Sequence, residues 1–274
     1  MKTLYLSDLD GTLLRSDARV SAYSAGIINA FIKRGGCFSY ATARSIGTAS
    51  DVTAGLELKL PAICANGVFI YDTLTKERLL SNFFTRAEAE TISVALSSQG
   101  ISPMVYAHVD GAEKMTYIER RATPALKNFL SYRENDPRRR IVRSADELFS
   151  GDIFRIACWG TEKSILPVRN IFKDNDVVEC IYQKEQYSGE WSCEILPKMA
   201  TKANAALQLK AMLGCDRIVA FGDAVNDLPL FFTADEKYAV ANAADEVKAS
   251  ATAVIGSNDD DGVAMWIAAN ALPR

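Results

Sequence analysis

Three apolar runs near the start of the chain each stop abruptly at a polar cluster, and this rhythm constrains the fold more than any other feature. Leu4 to Ser7 stops at Asp8, Cys37 to Ala41 at Thr42, and Pro61 to Ala65 at Asn66 and Gly67. Helix-like segments lie between them. Ser21 is placed to cap a helix that buries Ile27, Ile28, Phe31 and Ile32 and ends at Gly35 and Gly36, and Ser45 to Leu56 can form a second. Such alternation of strand and helix predicts an α/β fold with a parallel sheet. Open sheets of this class bind ligands past the carboxyl ends of their strands. The clusters Asp8 to Thr12, Thr42 to Arg44 and Asn66 to Gly67 fall at that edge.

From about Asn82 the pattern changes. Thr85-Arg86-Ala87-Glu88 is a capping box for a helix that runs to about Gln99 and closes at Gly100. Strand-like runs at Pro103 to Ala107 and Lys114 to Ile118 are joined through Asp110-Gly111, a hairpin signal. A helix from Pro124, a strand at Ile153 to Trp159, a helix after Thr161 and strands near Val177 to Tyr182 follow, an order that suits an antiparallel sheet with helices on one face. After Trp191 the first rhythm resumes: a strand to Leu196, a helix Lys202 to Leu213 closed by Gly214, a strand Arg217 to Phe221, a helix after Asn226 and a strand Tyr238 to Ala241. The expected organisation is a discontinuous core, residues 1–82 and 191–274, with a second domain, 83–190, inserted into it.

The 274 residues, 49% hydrophobic and 24% charged, suit one large or two modest globular domains. Lys plus Arg is 31 against 34 for Asp plus Glu, a net charge of -3, so there is no field for gripping a nucleic-acid backbone. Asp8 arrives before any apolar run long enough for a signal peptide. The uncharged stretch Thr91 to Val109 is too interrupted by Ser, Gln, Gly and Pro to span a bilayer. The six cysteines are scattered without a C-x-x-C pair, as expected of reduced thiols in a cytoplasmic protein. His108 is the single histidine, so a zinc site built on several histidines is excluded. The expected partner is a small molecule, with no nucleic acid or membrane involved, and the expected state is a monomer or weak homodimer.

Two acidic motifs carry the chemistry. In Asp8-Leu9-Asp10-Gly11-Thr12 two carboxylates two residues apart follow an apolar strand, and a bend at Gly11 leaves both near one ligand. Such a pair can hold a hard cation, and one member can attack phosphorus while the other moves a proton; alone, it could equally be a polar turn or helix cap. Gly222-Asp223-Ala224-Val225-Asn226-Asp227 also follows an apolar strand, and its two acids and an amide can complete an oxygen-only magnesium shell. Thr42 at a strand end offers a hydroxyl donor to a phosphoryl oxygen, and Lys202 at a helix start offers a fixed positive charge.

In this order and spacing the motifs resemble the haloacid dehalogenase-like superfamily of aspartate-nucleophile phosphatases, and within it the Cof-type branch of small-molecule phosphatases. The resemblance covers nearly the whole chain, with Asn66-Gly67, Ala241-Asn242-Ala243 and Asp261-Gly262-Val263-Ala264 as further matches. It implies a Rossmann-like core with an inserted α+β cap, and hydrolysis of a small phosphorylated metabolite, a sugar phosphate being the expected kind. Asp8 would be the nucleophile, forming an aspartyl phosphate, and Asp10 the acid and then the base. Mg2+ would be held by the Asp8 carboxylate, the Asp10 carbonyl, Asp223 and Asp227, the last directly or through water. Thr42, Lys202 and Asn226 would hold phosphoryl oxygens, with Ala43 beside them and Arg44 either a phosphate or substrate contact or a surface ion pair. Where the family usually has Ala-Thr-Gly-Arg, this chain has Ala41-Thr42-Ala43-Arg44; the added methyl is unfavourable if the backbone at 43 needs positive φ or passes close to the phosphate.

A phosphoryl transferase or mutase would use the same residues, and a non-catalytic phosphoacceptor or binding protein is the remaining alternative. Specificity contacts are expected in the cap, where Tyr106, His108, Tyr117, Tyr182, Tyr187 and Trp191 are the candidates, and the cap is expected to close by a hinge where the chain crosses near Asn82 and Trp191. Arg138, Arg139, Arg140 and Arg143 read as a solvated basic face, and Asp259 to Asp261 as a polar loop.

Overall fold

The computed structural model describes residues 1–184 and 189–272, so Tyr187, a candidate specificity residue, lies outside the described residues. It divides into two compact units, Met1–Ser81 with Met199–Arg274, and Asn82–Lys198.

The first unit is built on a five-stranded parallel sheet in the order Ala253–Ile255, Glu236–Val240, Arg217–Gly222, Thr3–Ser7, Cys37–Tyr40. Its central strands are nearly continuous apolar runs because both faces are covered. On one face Tyr5, Phe221 and Tyr238 meet Trp266 of helix Gly262–Asn270, and Tyr5 also meets Phe31 of helix Ala22–Lys33. The alternate residues Leu4, Leu6, Ile218 and Ala220 point the other way and are fully buried. Ser21 caps the first helix as its sequence suggests, accepting the Ser24 N–H at 2.9 Å. The third apolar run behaves differently. Ala62–Cys64 reaches the parallel sheet through a single bridge, Ala41 to Ile63, and otherwise pairs antiparallel with Phe69–Tyr71, which pairs in turn with Arg78–Ser81.

The second unit holds a six-stranded sheet in the order Val178–Lys184, Trp191–Pro197, Asp152–Gly160, Met104–Val109, Ala112–Tyr117, Arg139–Ile141. All neighbours are antiparallel except the last pair. Helices Arg86–Ser98 and Glu162–Phe172 bury Ile92, Leu96, Ile165 and Val168 against Val105, Ala107, Ile156, Cys158, Cys193 and Ile195. The capping box forms, with the Thr85 N–H donating to Glu88 Oε2 at 2.7 Å and the Glu88 N–H to Thr85 Oγ1 at 3.3 Å. Asp110 and Gly111 take φ of 51° and 80°, the left-handed pair that a two-residue hairpin turn requires.

One strand corrects the domain boundary. Trp191–Pro197 does not open the second half of the core but pairs on both sides within the antiparallel sheet, so the second crossing falls at Lys198/Met199 rather than at 190/191. Glu194 in the middle of that strand is the physical sign, since a strand buried on both faces of a parallel sheet leaves no room for a carboxylate. The arginine run is also built in rather than merely solvated: Arg138 pairs with Asp136 and Glu113, Arg139 donates to the Tyr117 hydroxyl at 2.6 Å, and Arg140 donates to Ser150 and the Glu147 carbonyl. Among the described residues no helix is long and apolar enough to cross a membrane.

Candidate active site

The carboxyl ends of Thr3–Ser7 and Arg217–Gly222 lie side by side, with Ser7 in register with Phe221, so the two acidic motifs leave the sheet next to each other. The Asp8 N–H still donates to the Phe221 carbonyl at 2.9 Å, which fixes the first carboxylate at the end of its strand. The chain then turns sharply through Gly11, whose φ is +77°; a side chain there would collide with the Asp223 carboxylate. Thr12 donates to Asp223 Oδ1 at 2.7 Å, and Asn242 donates to the Gly11 carbonyl at 2.7 Å, so this turn is held from two directions.

Lys202 is the centre of the cluster. Its Nζ lies 2.6 Å from Asp8 Oδ1 and 2.6 Å from Asp227 Oδ1, and all three side chains are buried. The lysine is placed by the first turn of helix Lys202–Met212, capped by Thr201, which accepts the Asn204 N–H at 3.1 Å. Gly67, with φ of +101°, lies so close to the Thr201 carbonyl that a Cβ would overlap it, so the Asn66-Gly67 turn sets the height of this helix. Asp227 uses its other oxygen to accept the N–H groups of Asp223 and Ala224, each at 3.1 Å. It is therefore an anchor for the loop as well as a partner of Lys202.

Electrostatically the site is short of positive charge. Asp8, Asp223 and Asp227 each offer an oxygen, and these atoms all lie within 4.8 Å of one another. Burial, only partly offset by Lys202 and reinforced by Asp227, raises Asp8 to about 8. Burial and the neighbouring Asp227 raise Asp223 to about 6 despite the hydrogen bond from Thr12. Burial alone would lower the pKa of Lys202, but Asp227 and Asp8 outweigh it and hold the ammonium charged. Three clustered carboxylates against one ammonium, with oxygen as the only donor, fit a hard divalent cation.

Asp10 is not part of that cluster through its side chain. The half-exposed Asp10 carboxylate is gripped by both arms of the Arg44 guanidinium, Nε to Oδ2 at 2.7 Å and a terminal nitrogen to Oδ1 at 2.5 Å. Any hold on a metal would be through its main-chain carbonyl. Thr42 is fully buried, and its Oγ1 accepts the Arg44 N–H at 3.2 Å, which ties the two residues together. Ala43 is exposed and is not among the residues of positive φ, so the departure from glycine carries no backbone strain. Asn226 lies at the exposed edge, its Nδ2 3.5 Å from Asn66 Oδ1.

The sequence did not single out the role of Asn242 in holding the Gly11 turn, although Ala241-Asn242-Ala243 stands out as a motif. Asp259 and Asp261 act structurally: Asp259 accepts from Ser16, and Asp261 from Arg15, Ser21 and Ser24. Of the aromatic candidates in the second unit, Tyr106 and Tyr117 are buried and Tyr182 stacks on Trp191.

A parallel α/β unit with paired acidic loops, a buried lysine and a carboxylate cluster that could hold a cation has the features of a phosphoryl-group hydrolase. The chain belongs to the haloacid dehalogenase-like hydrolases, whose family pattern matches residues 5–267, and it is a phosphatase of that family's Cof type. It is 31% identical to the Bacillus subtilis 5-amino-6-(5-phospho-D-ribitylamino)uracil phosphatase YwtE, over 95% of each chain. It is 24% identical to a second Bacillus subtilis 5-amino-6-(5-phospho-D-ribitylamino)uracil phosphatase, YitU, over 95% of this chain and 94% of the relative. The fold matches the crystal structure of TM0651 from Thermotoga maritima with a TM-score of 0.77 at 21% identity, covering 100% of this chain and 99% of the other.

Proposed function

We propose that the protein is a Mg2+-dependent phosphatase of a small phosphorylated sugar or polyol, working through a phosphoryl group carried on Asp8. The observation that carries this reading is the buried Asp8 carboxylate, 2.6 Å from Lys202 and clustered with Asp223 and Asp227, with Asp10 two residues on but outside the cluster. Nucleophile and proton carrier are thereby separated in environment as well as in role. The names of YwtE and YitU, phosphatases of a phosphorylated ribityl chain, favour a polyol or sugar phosphate.

Asp8 attacks phosphorus in line while Lys202 balances charge on the nucleophile and on the transferring group. The Thr42 hydroxyl and the Asn226 amide donate to the phosphoryl oxygens. Asp10, held in place by Arg44, must have one oxygen free of that grip and carrying a proton to protonate the departing alkoxide; it then takes a proton from the water that cleaves the phosphoaspartate. Mg2+, held by Asp8 and Asp223 with the Asp10 carbonyl and with Asp227 directly or through water, would neutralise charge on a phosphoryl oxygen. Substrate ranking is assigned to the second unit.

The test is phosphate release, with Mg2+ and after chelation, from a panel of sugar, polyol and nucleoside monophosphates, run with and without acceptor alcohols. Release from a subset of monoesters, lost on chelation, is expected. Transfer to the alcohols in preference to water would make the enzyme a transferase, and no turnover of any monoester would overturn the reading.

A further inference from the structure

All six cysteines are free thiols; the Sγ atoms of Cys180 and Cys193 are 3.3 Å apart, and Cys37 also interacts with Cys215. Cys180 and Cys193 belong to the adjacent strands Val178–Lys184 and Trp191–Pro197, whose register sets Cys180 opposite Ile195 and Tyr182 opposite Cys193. The two thiols are therefore diagonal neighbours on one face, the helix-covered one, with Cys193 in its core and Cys180 partly exposed. We propose that Cys180 and Cys193 are a modification site, a dithiol that a hydroperoxide converts to a disulfide.

The surroundings divide the roles. The contact with Cys193, helped by Arg169, holds the Cys180 thiol below its ordinary range despite partial burial. The same contact and burial raise the Cys193 thiol. Cys180 is the more accessible sulfur, as an attacking cysteine must be. Its thiolate attacks the outer oxygen of the hydroperoxide; the O–O bond breaks, an alcohol or water leaves with one proton, and Cys180 becomes a sulfenic acid. The Cys193 sulfur then attacks Cys180, the S–O bond breaks, and water leaves with the Cys193 proton. In sum two thiols lose two electrons and two protons, and one hydroperoxide is reduced to an alcohol and water.

Closing the pair to the bonded distance of about 2.05 Å needs a small movement of one strand. Val178–Lys184 can make it, because among the described residues it is the end strand of its sheet and has a ladder on one side only. Cys158 is the competing partner, directly opposite Cys193 on the other neighbouring strand. It is buried, and burial pushes its thiol up to about 12, so it does not begin the reaction.

The native full-length protein is exposed to one equivalent of hydrogen peroxide, alkylated and digested with trypsin without reductant. Lys184 separates the two cysteines, so the disulfide links peptides 174–184 and 185–198, lighter by two hydrogens than their sum and released by dithiothreitol. Cys193→Ser should lose the link and leave a sulfenic acid on Cys180 that dimedone traps; Cys180→Ser should lose both the link and the trapped adduct. A Cys158–Cys193 link, dimedone on Cys193 in place of Cys180, or no linked peptide from protein that retains its circular dichroism would each overturn the assignment.

Discussion

Asp8 and Asp10 differ by what surrounds them, and that difference predicts different losses. An alkoxide leaving from a sugar phosphate needs a proton in the transition state, whereas nitrophenolate is a weak base and does not. General acid catalysis is worth roughly 10²- to 10⁴-fold, so Asp10→Asn should slow transfer from a sugar phosphate by about that factor and from p-nitrophenyl phosphate far less. Water attack would still lack its base, so the mutant should release about one nitrophenol per site in a burst and then stall. Asp8→Asn should show no burst; equal losses on both substrates without a burst for Asp10→Asn would reduce Asp10 to a positioning role. In the proposed mechanism Arg44 would act on the same step, because its two-armed grip sets the direction of the Asp10 carboxylate. Arg44→Ala should therefore lower kcat on sugar phosphates by about 10-fold or more, with a smaller effect on the nitrophenyl ester, a ratio that stopped-flow measurement on both substrates reads directly. The acids themselves were legible in sequence because each follows an apolar strand. An ion pair was one of the two readings open for Arg44, but its partner Asp10 was not legible, since nothing in the spacing of residues 34 apart shows which way a carboxylate turns.

At the scale of elements, strands buried on both faces and helices with side-chain caps could be read from sequence, whereas short or charged strands could not. Arg139–Ile141 was hidden by its arginines, and Phe69–Tyr71, Arg78–Ser81 and Ala253–Ile255 were too short to show a period. Trp191–Pro197 was assigned to the wrong sheet because an apolar strand carries no label for its neighbours. Gly67 links two elements and should be intolerant of change: with positive φ and no room against the Thr201 carbonyl, Gly67→Ala should cost about 1–3 kcal/mol in urea unfolding. It should also reduce kcat in the folded fraction, because the helix that gives way presents Lys202. Asp261 ties the segment after the Gly11 turn to the start of the last helix. Burial alone would raise its carboxyl, but hydrogen bonds from Arg15, Ser21 and Ser24 outweigh this and hold it below the ordinary range. The folded state then binds this proton less readily than the unfolded state, whose value is about 3.9. The stabilisation is therefore complete above that pH and lost as pH falls through the lower, folded value. Asp261→Asn should cost about 1–3 kcal/mol at neutral pH and less in acid, so the stability curves of mutant and wild type should converge as pH falls.

At the scale of the molecule, an inserted second unit could be read from the change of rhythm near Asn82, but its far boundary could not, because the apolar strand Trp191–Pro197 shows nothing in its sequence of which sheet it joins. The two units have separate apolar cores, one around Leu6, Phe38, Ile63 and Phe221 and one around Leu96, Val105, Ile156 and Ile195. All residues of the candidate metal site, Asp8, Asp223 and Asp227, belong to the first. A cation that binds the folded first unit and not the unfolded chain must stabilise that unit by mass action, about 2.7 kcal/mol at a free concentration 100 times Kd. The second unit gains this only so far as its unfolding is coupled to the first. Differential scanning calorimetry should therefore show two transitions, one moving upward as Mg2+ is titrated and the other fixed. Asp223→Asn should abolish the movement without merging the two. A single transition that shifts as a whole would mean that the two cores melt as one cooperative block, and two transitions that both ignore Mg2+ would remove the carboxylate cluster from the list of metal sites.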